Sequence, residues 1–188
     1  MKQLNWIQFT WDLAMLPEDG TELPEHYEIS RVTPDDEIEL RKVISSSFSL
    51  DPSWNPALQE IVQTIDGWVD RAWEPETSVC LALRHGLRII GATVLRLEPE
   101  AENHFSPGPC ILMEYRNRGF GTRLLEHSLR ALRDAGWSAA RAIANENSPV
   151  TKFLYPKFNS TLVPYESSPL AARTIPSSPE DILGAHKR

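Results

Sequence analysis

Eight consecutive residues, Tyr115-Arg116-Asn117-Arg118-Gly119-Phe120-Gly121-Thr122, combine two arginines with two closely spaced glycines. They join a short apolar stretch, Cys110-Ile111-Leu112-Met113, to an amphipathic pattern that starts at Arg123-Leu124-Leu125. A strand, a glycine-containing turn with free N–H groups and a helix N-terminus together make an anion cradle. Gly119 and Gly121 let the backbone come close to an anion and can take positive φ. The anion most in need of such a cradle is a phosphate or pyrophosphate. Nucleoside triphosphate chemistry of the P-loop kind would need G-x-x-x-x-G-K-[ST], and no such Lys-Ser/Thr pair is present. The dinucleotide fingerprint G-x-G-x-x-G is absent as well.

The cradle needs a scaffold, and the rest of the chain predicts one. Residues 7–15 alternate, with Ile7, Phe9, Trp11, Leu13 and Met15 on one side, which reads as a half-buried strand. Tyr27 to Val32 is a second strand. Thr33-Pro34-Asp35-Asp36 starts a helix that runs to about Ser47, with a hydroxyl at the N-cap and Pro at the first helical position. Asn55-Pro56 opens another helix, whose Leu58, Ile61, Val62, Ile65, Trp68, Val69 and Ala72 follow the spacing of a buried stripe. Strands over 78–84 and 88–97, joined at His85-Gly86, form a hairpin. A loop covers 98–109 and a strand 110–113. A helix follows from about Gly119 to Ala135, with Leu125, Ser128, Leu129 and Leu132 inward and Gly136 as its stop. Ala139–Ala144 reads as a strand, 147–155 as a short helix and Thr161–Tyr165 as a last strand. Early antiparallel hairpins and a later strand–helix–strand unit make a mixed α/β sheet. The expected layout is an N-terminal strand and loop over 1–25, one domain over 26–166 and a flexible tail over 167–188.

Composition limits the function. The chain has 188 residues, a formal net charge of −7 and 41% apolar residues, enough for a core. An acidic balance opposes nonspecific nucleic-acid binding, which draws its affinity from Lys and Arg neutralising phosphates. Cys80 and Cys110 both sit in apolar runs, which suits buried reduced thiols rather than a disulfide framework. No apolar run approaches the ~20 residues of a membrane span, and Met1 to Trp6 leads into alternation rather than a leader. The expectation is a cytoplasmic protein with no membrane or nucleic-acid partner. No His/Cys/Asp/Glu group has metal-ligand spacing, so no metal is expected.

Arg116-x-x-Gly119-x-Gly121 resembles the R/Q-x-x-G-x-G/A motif of the GNAT acetyltransferase superfamily, and Glu114 to Thr122 resembles that family's pyrophosphate loop. The resemblance is good from about Ser78 to Tyr155, extends back to Tyr27 and is absent from the first 25 residues and the tail. It implies the family's fold: a mostly antiparallel central sheet flanked by helices, here with an additional N-terminal strand. It implies acetyl-CoA as co-substrate, its pyrophosphate held by Arg116, Asn117, Arg118, Gly119, Phe120, Gly121 and Thr122. In the family the preceding strand splays from its neighbour, and its backbone pairs with the pantetheine arm and polarises the thioester carbonyl. Those positions are Cys110 and Ile111, with Leu112 and Met113 nearby; Pro109 has no N–H to give, so the donor is a later residue.

A second match is Asn147 to Ser160, against the family's N-x-x-A-x-x-F-Y-x-K-x-G-F. Counted from Asn147, Val150 falls on the Ala and Leu154 on the Tyr. Counted from Tyr155, Lys157 falls on the Lys and Asn159 on the Gly. The two registers differ by one residue. Tyr155 is therefore either the family's acid that protonates the departing thiolate or a packing Tyr beside Phe153 and Phe158. Asn147 either hydrogen-bonds the cofactor or caps its helix. The resemblance implies an N-acetyltransferase in which an amine attacks acetyl-CoA directly in a ternary complex. The alternative is a non-catalytic acyl-CoA sensor or protein-interaction domain on the same fold. The base that takes the amine proton is sought among Glu98, Glu100, Glu102 and His104 or a solvated loop. The partner is an amine-bearing small molecule or peptide. Trp54, Trp68 and Trp73 either line its pocket or pack in the core. The N-terminal strand pairs with the sheet edge or with a second copy, which leaves a homodimer open.

Overall fold

A computed structural model describes residues 5–167; the tail expected over 167–188 lies, beyond its first residue, outside the described part. Alternation at the N-terminus produces β1 (Trp6–Asp12), and Leu13–Met15 then turns as a single 3-10 turn. The turn takes Met15 out of register, so that it is 63% exposed while Phe9, Trp11 and Leu13 are buried. The next strand is β2 (Tyr27–Arg31). Thr33 and Asp36 close a capping box, with Asp36 accepting the Thr33 N–H at 2.8 Å, and α1 (Glu37–Ser49) follows. A 3-10 segment, Pro52–Ala57, leads into α2 (Leu58–Arg71). The hairpin is β3 (Ser78–His85) and β4 (Arg88–Arg96), and β5 is only Cys110–Ile111. Then come α3 (Phe120–Asp134), β6 (Ala139–Asn145) and β7 (Thr161–Tyr165).

These strands form two sheets, ordered β2-β3-β4-β5 and β6-β1-β7, and every pair within them is antiparallel. The N-terminal strand does not add to an edge. It lies between β6 and β7, with Trp6 opposite both Asn145 and Tyr165. Its two rows of N–H and C=O groups are thereby satisfied within the chain.

Pleating divides the core into two layers. Val79, Leu81 and Leu83 of β3 face α3, where they meet Leu124, Leu125, Leu129 and Leu132 together with Phe9 and Trp11. Cys80 of β3 and Ala92 and Val94 of β4 face Leu40 and Ile44 of α1 and Ile61, Ile65 and Val69 of α2. Val62, placed on the α2 stripe by spacing, is exposed. The loop before β2, 16–25, is tied to α3 by a buried carboxylate: Glu126 accepts the Thr21 N–H and pairs with Arg130, which also donates to the carbonyls of Pro17 and Glu18. The architecture is a mostly antiparallel α/β sheet held between helices.

Candidate active site

β5 and β6 are the facing edges of the two sheets and belong to different sheets. A cavity of about 540 Å³ opens where they part, with Cys110 and Ile111 on one wall and Ile143 and Ala144 on the other. At its closed end the 103–104 segment wedges the strands apart. His104 donates its N–H to the Arg141 carbonyl and takes the Arg141 N–H on Nδ1 at 2.9 Å, and Asn103 Oδ1 accepts the Ile143 N–H. His104 is completely buried, and burial, with the Arg141 charge beside it, holds its pKa below the usual histidine range. It therefore braces backbone. Glu98 pairs with Arg96, and Glu102 accepts the Tyr165 hydroxyl at 2.6 Å. None of Glu98, Glu100, Glu102 and His104 lines the cavity.

The register of β5 decides which backbone group is free. Leu112 donates to Ile90 O, so residues 112 and 110 form the hydrogen-bonded pairs with β4, and Ile111, opposite Gly91, does not. The Ile111 N–H and C=O thus point away from β4, towards the cavity. Its carbonyl is already taken by Arg116 Nε at 2.9 Å, which leaves the N–H as the group without a partner among the described residues. Arg116 also donates from Nη2 to Ser47 O at 3.0 Å and so ties β5 to the end of α1. Close pairing here requires Gly91: a Cβ would stand 2.6 Å from Ile111 Cδ1 and 2.9 Å from Cys110 O.

At the far end of β5 the chain turns through Asn117 at φ 60° and Gly119 at φ 80° into α3. Gly119 is the helix N-cap and offers no side chain. The N–H groups of the first turn, Phe120, Gly121 and Thr122, have no acceptor within the helix, and Gly119, Gly121 and Thr122 line the cavity. A 15-residue helix ends there with its positive pole. Arg116 and Asn117 also line the cavity, whereas Leu112, Met113, Arg118 and Phe120 do not. Arg118 lies over the Tyr115 ring, and Phe120 packs on Tyr27.

The one-residue mismatch downstream has a structural cause. Val150–Leu154 is a turn of π-helix, and Tyr155 N–H bonds to Val150 O at 2.9 Å, five residues back. A π-turn holds one residue more than an α-turn. The extra residue carries Tyr155 inward, while Phe153 is 74% exposed. Tyr155 is held edge-on by Phe9 and Trp11, with ring centroids at 5.4 and 5.3 Å. Its hydroxyl rests on the backbone of Gly108, where a Cβ would overlap it. Burial, with Cys110 close by, pushes its pKa well above the ordinary phenol value, so the hydroxyl keeps its proton. Phe158 and Asn159 take positive φ just beyond, at 60° and 56°, a conformation that Asn tolerates better than most residues. Asn147 is exposed and does not line the cavity; its N–H donates to the buried Asn145 Oδ1.

Another part of the cavity wall carries Trp54 and Trp68, two of the three Trp candidates for a pocket lining, with Trp6, Phe48 and Asp51, which the sequence did not single out as site residues. Trp6, Phe48, Trp54 and Trp68 form a continuous aromatic wall, with neighbouring centroids 5.9, 5.1 and 5.4 Å apart. Trp73 is not part of it. Among the described residues Asp51 is the only carboxylate lining the cavity. It stands just past α1, and a lone Asp before a Pro gives no sequence signal beyond a turn. Among the described residues there is no metal-binding cluster, and no helix is long and apolar enough to cross a membrane.

Among curated proteins nothing matches the chain. Solved structures do. A GCN5-related N-acetyltransferase from Sphaerobacter thermophilus aligns over 87% of the chain and 50% of its own, with a TM-score of 0.62 and 17% identity. A functionally unknown conserved protein from Staphylococcus epidermidis aligns over 86% of the chain and 59% of its own, with a TM-score of 0.60 and 14% identity. A GNAT-family protein from Novosphingobium aromaticivorans gives 0.55 at 14% identity, over 89% and 67%. The chain thus spans about half the length of the Sphaerobacter protein. At these identities the likeness is one of fold. The sequence itself matches the model of the GNAT acetyltransferase family over residues 47–158, which contain α2, β3 to β6, the glycine turn and Tyr155. A splayed strand pair, an open helix N-terminus and a match over more than half the chain meet in one conclusion: the chain belongs to the GNAT acetyltransferase family.

Proposed function

We propose that the protein transfers an acetyl group from acetyl-CoA to an amine by direct attack in a ternary complex. One observation carries this reading. A single cavity is lined by Gly119, Gly121 and Thr122 at the open N-terminus of α3, by Ile111 and Tyr155, and by the aromatic side chains of Trp6, Phe48, Trp54 and Trp68.

The residues present fit the co-substrate. The first-turn N–H groups of α3 and the turn at Asn117–Gly119 suit a diphosphate, and the edge of β5 suits an extended amide-containing arm. Acetyl-CoA, when bound, would supply the thioester carbonyl carbon; as the amine nitrogen attacks it the C–S bond breaks, the nitrogen gives its proton to water, and the sulfur takes one from Tyr155, which regains it from water. Ile111 N–H is the donor placed for the oxygen on which negative charge grows, a contribution of about 2.7–4 kcal/mol in comparable sites. Arg116 keeps that donor in place by occupying the neighbouring carbonyl. Tyr155, neutral and locked by its ring contacts, is the proton source for the leaving sulfur. Cys110 stands in the wall, but burial pushes its thiol up to about 12, against the opposing pull of Arg116. A neutral thiol is a poor nucleophile, which favours direct attack over an acyl-cysteine.

The test is release of free CoA from acetyl-CoA in the presence of a mixed panel of primary amines, with CoA affinity measured separately. Amine-dependent release supports the reading. Tight CoA binding with no turnover on any amine would return the chain to the class of acyl-CoA sensors.

A further inference from the structure

The apolar end of the cavity contains a carboxylate without a cation. Asp51 is 9% exposed. Its Oδ1 accepts the Ser53 N–H at 3.0 Å, as the cap of the 3-10 segment. Oδ2 has no hydrogen-bond partner, and Asp51 has no ion pair, among the described residues. The two basic side chains on the cavity wall, Arg116 and Lys157, are not paired with it. A carboxylate largely removed from water and without a countercharge gains from a cationic ligand. Its place adds to that gain. Asp51 follows the C-terminus of α1, whose dipole presents negative charge there.

The aromatic wall also suits a cation. Trp6, Trp54, Phe48 and Trp68 offer aromatic surface, and ring faces attract ammonium groups, more strongly when the site is dry. The nearest wall cation, Arg116, is engaged with the carbonyls of Ser47 and Ile111. The cavity wall thus combines an anion-favouring helix N-terminus at the glycine turn with one carboxylate beside aromatic rings. The number of carboxylates sets the number of charges. One Asp neutralises one ammonium, and the remaining wall is apolar. A polycation would bring charges that nothing here meets.

We infer that Asp51 and the aromatic wall form the acceptor subsite, built for a molecule with a single primary ammonium on an aromatic or alkyl body. The word acceptor rests on the proposed acetyl transfer; the ammonium site itself rests on Asp51 and the four rings alone.

The experiment measures binding to the full chain without acetyl-CoA, by calorimetry and by quenching of tryptophan fluorescence. The probes are 2-phenylethylamine, its neutral counterpart 2-phenylethanol, and spermidine. The amine is expected to bind at least about tenfold more tightly than the alcohol, and more tightly than spermidine. Asp51→Asn keeps the Oδ1 cap and removes the charge, so it should bring amine and alcohol to within about twofold. Trp54→Leu should weaken both phenyl probes. An amine preference that survives Asp51→Asn, equal or tighter binding of spermidine, or no saturable binding of the amine to the unmodified protein would each overturn the inference. The spermidine comparison needs no variant, so misfolding of Asp51→Asn does not protect the idea. Acetyl-CoA turnover is scored apart. The expected binding pattern without CoA release on any amine would refute acetyl transfer and leave the ammonium site standing. Turnover that does not respond to Asp51→Asn would refute the acceptor subsite and leave acetyl transfer standing.

Discussion

Gly108 and Tyr155 are expected to behave as one unit. Gly108 has no left-handed φ, so Ala can adopt its backbone conformation without strain. The obstacle is the Tyr155 hydroxyl, which a Cβ would overlap. The ring cannot swing aside, because Phe9, Trp11 and Phe105 hold it with centroids at 5.4, 5.3 and 5.9 Å. Gly108→Ala alone should then cost about 1–3 kcal/mol, the usual range for overpacking. Tyr155→Phe removes the offending oxygen. The nearest remaining atom is the ring Cζ at 3.2 Å, a contact that a shift of a few tenths of an ångström relieves. Gly108→Ala should therefore cost less than about 1 kcal/mol in the Tyr155→Phe background. The four proteins form a double-mutant cycle, read by urea unfolding, and a coupling of about 1–2 kcal/mol is expected. With a urea slope of about 2 kcal/mol/M, the midpoints should depart from additivity by roughly half to one molar. Additivity within about 0.5 kcal/mol would mean that the hydroxyl does not rest on Gly108. The same cycle bears on chemistry. If Tyr155 is the proton donor, Gly108→Ala should lower kcat in the unmodified background and have little further effect once the hydroxyl is gone.

Tyr155→Phe should slow turnover tenfold or more, within the ~10²–10⁴ range of acid–base contributions, while CoA affinity stays within about twofold. Equal rates would remove Tyr155 from the mechanism. Gly121→Trp should abolish CoA binding, because an added Cβ at Gly121 stands 3.7 Å from Leu154 and leaves an indole only the cradle to fill; unchanged affinity by calorimetry would sink the pyrophosphate assignment. Glu126 gives a pH test. Burial alone would raise its pKa, but the Thr21 N–H and Arg130 outweigh burial and hold it below the usual value. A lowered folded pKa means that its stabilisation is complete above the unfolded value, near 4.3, and fades as pH falls through the folded value. Glu126→Gln should cost about 1.5–3 kcal/mol at pH 7, and the gap in Tm should close below about pH 4. A gap independent of pH would contradict the ionised pairing.

What could be read from the sequence was local, and what could not was decided by partners far along the chain. The hairpin of β3 and β4 and the stripe of α3 follow from alternation and helical spacing, because each buries one face against a continuous layer. The glycine turn was legible for a related reason: φ of 80° at Gly119 is a demand that few residues meet. Asp51 gave no such signal. Its neighbours at the wall are Trp6 and Trp68, brought together only when β1 enters the sheet and α2 folds back along α1. The His104 wedge was hidden in the same way. As a sequence it is one histidine in an acidic loop, and only the pairing of β6 shows that the Arg141 N–H needs an acceptor there.

The residues that prepare the site are not confined to the segment that resembles the family. The match over 47–158 ends before β7 and begins long after β1. Yet β1 supplies Trp6 to the aromatic wall, and Phe9 and Trp11 to the clamp on Tyr155. Trp11 also donates from its indole N–H to Lys157 O at 2.9 Å, just past Tyr155. Inserted between β6 and β7, the strand fixes the far wall of the splay on one side and the turn carrying Tyr155 on the other. It cannot fray without disturbing the cavity, because both of its neighbours, β6 of the cavity wall and β7, would lose their ladder. The glycine turn and most of the aromatic wall thus lie within the matched segment, whereas Trp6 of that wall and the Phe9–Trp11 clamp on Tyr155 come from β1, outside it.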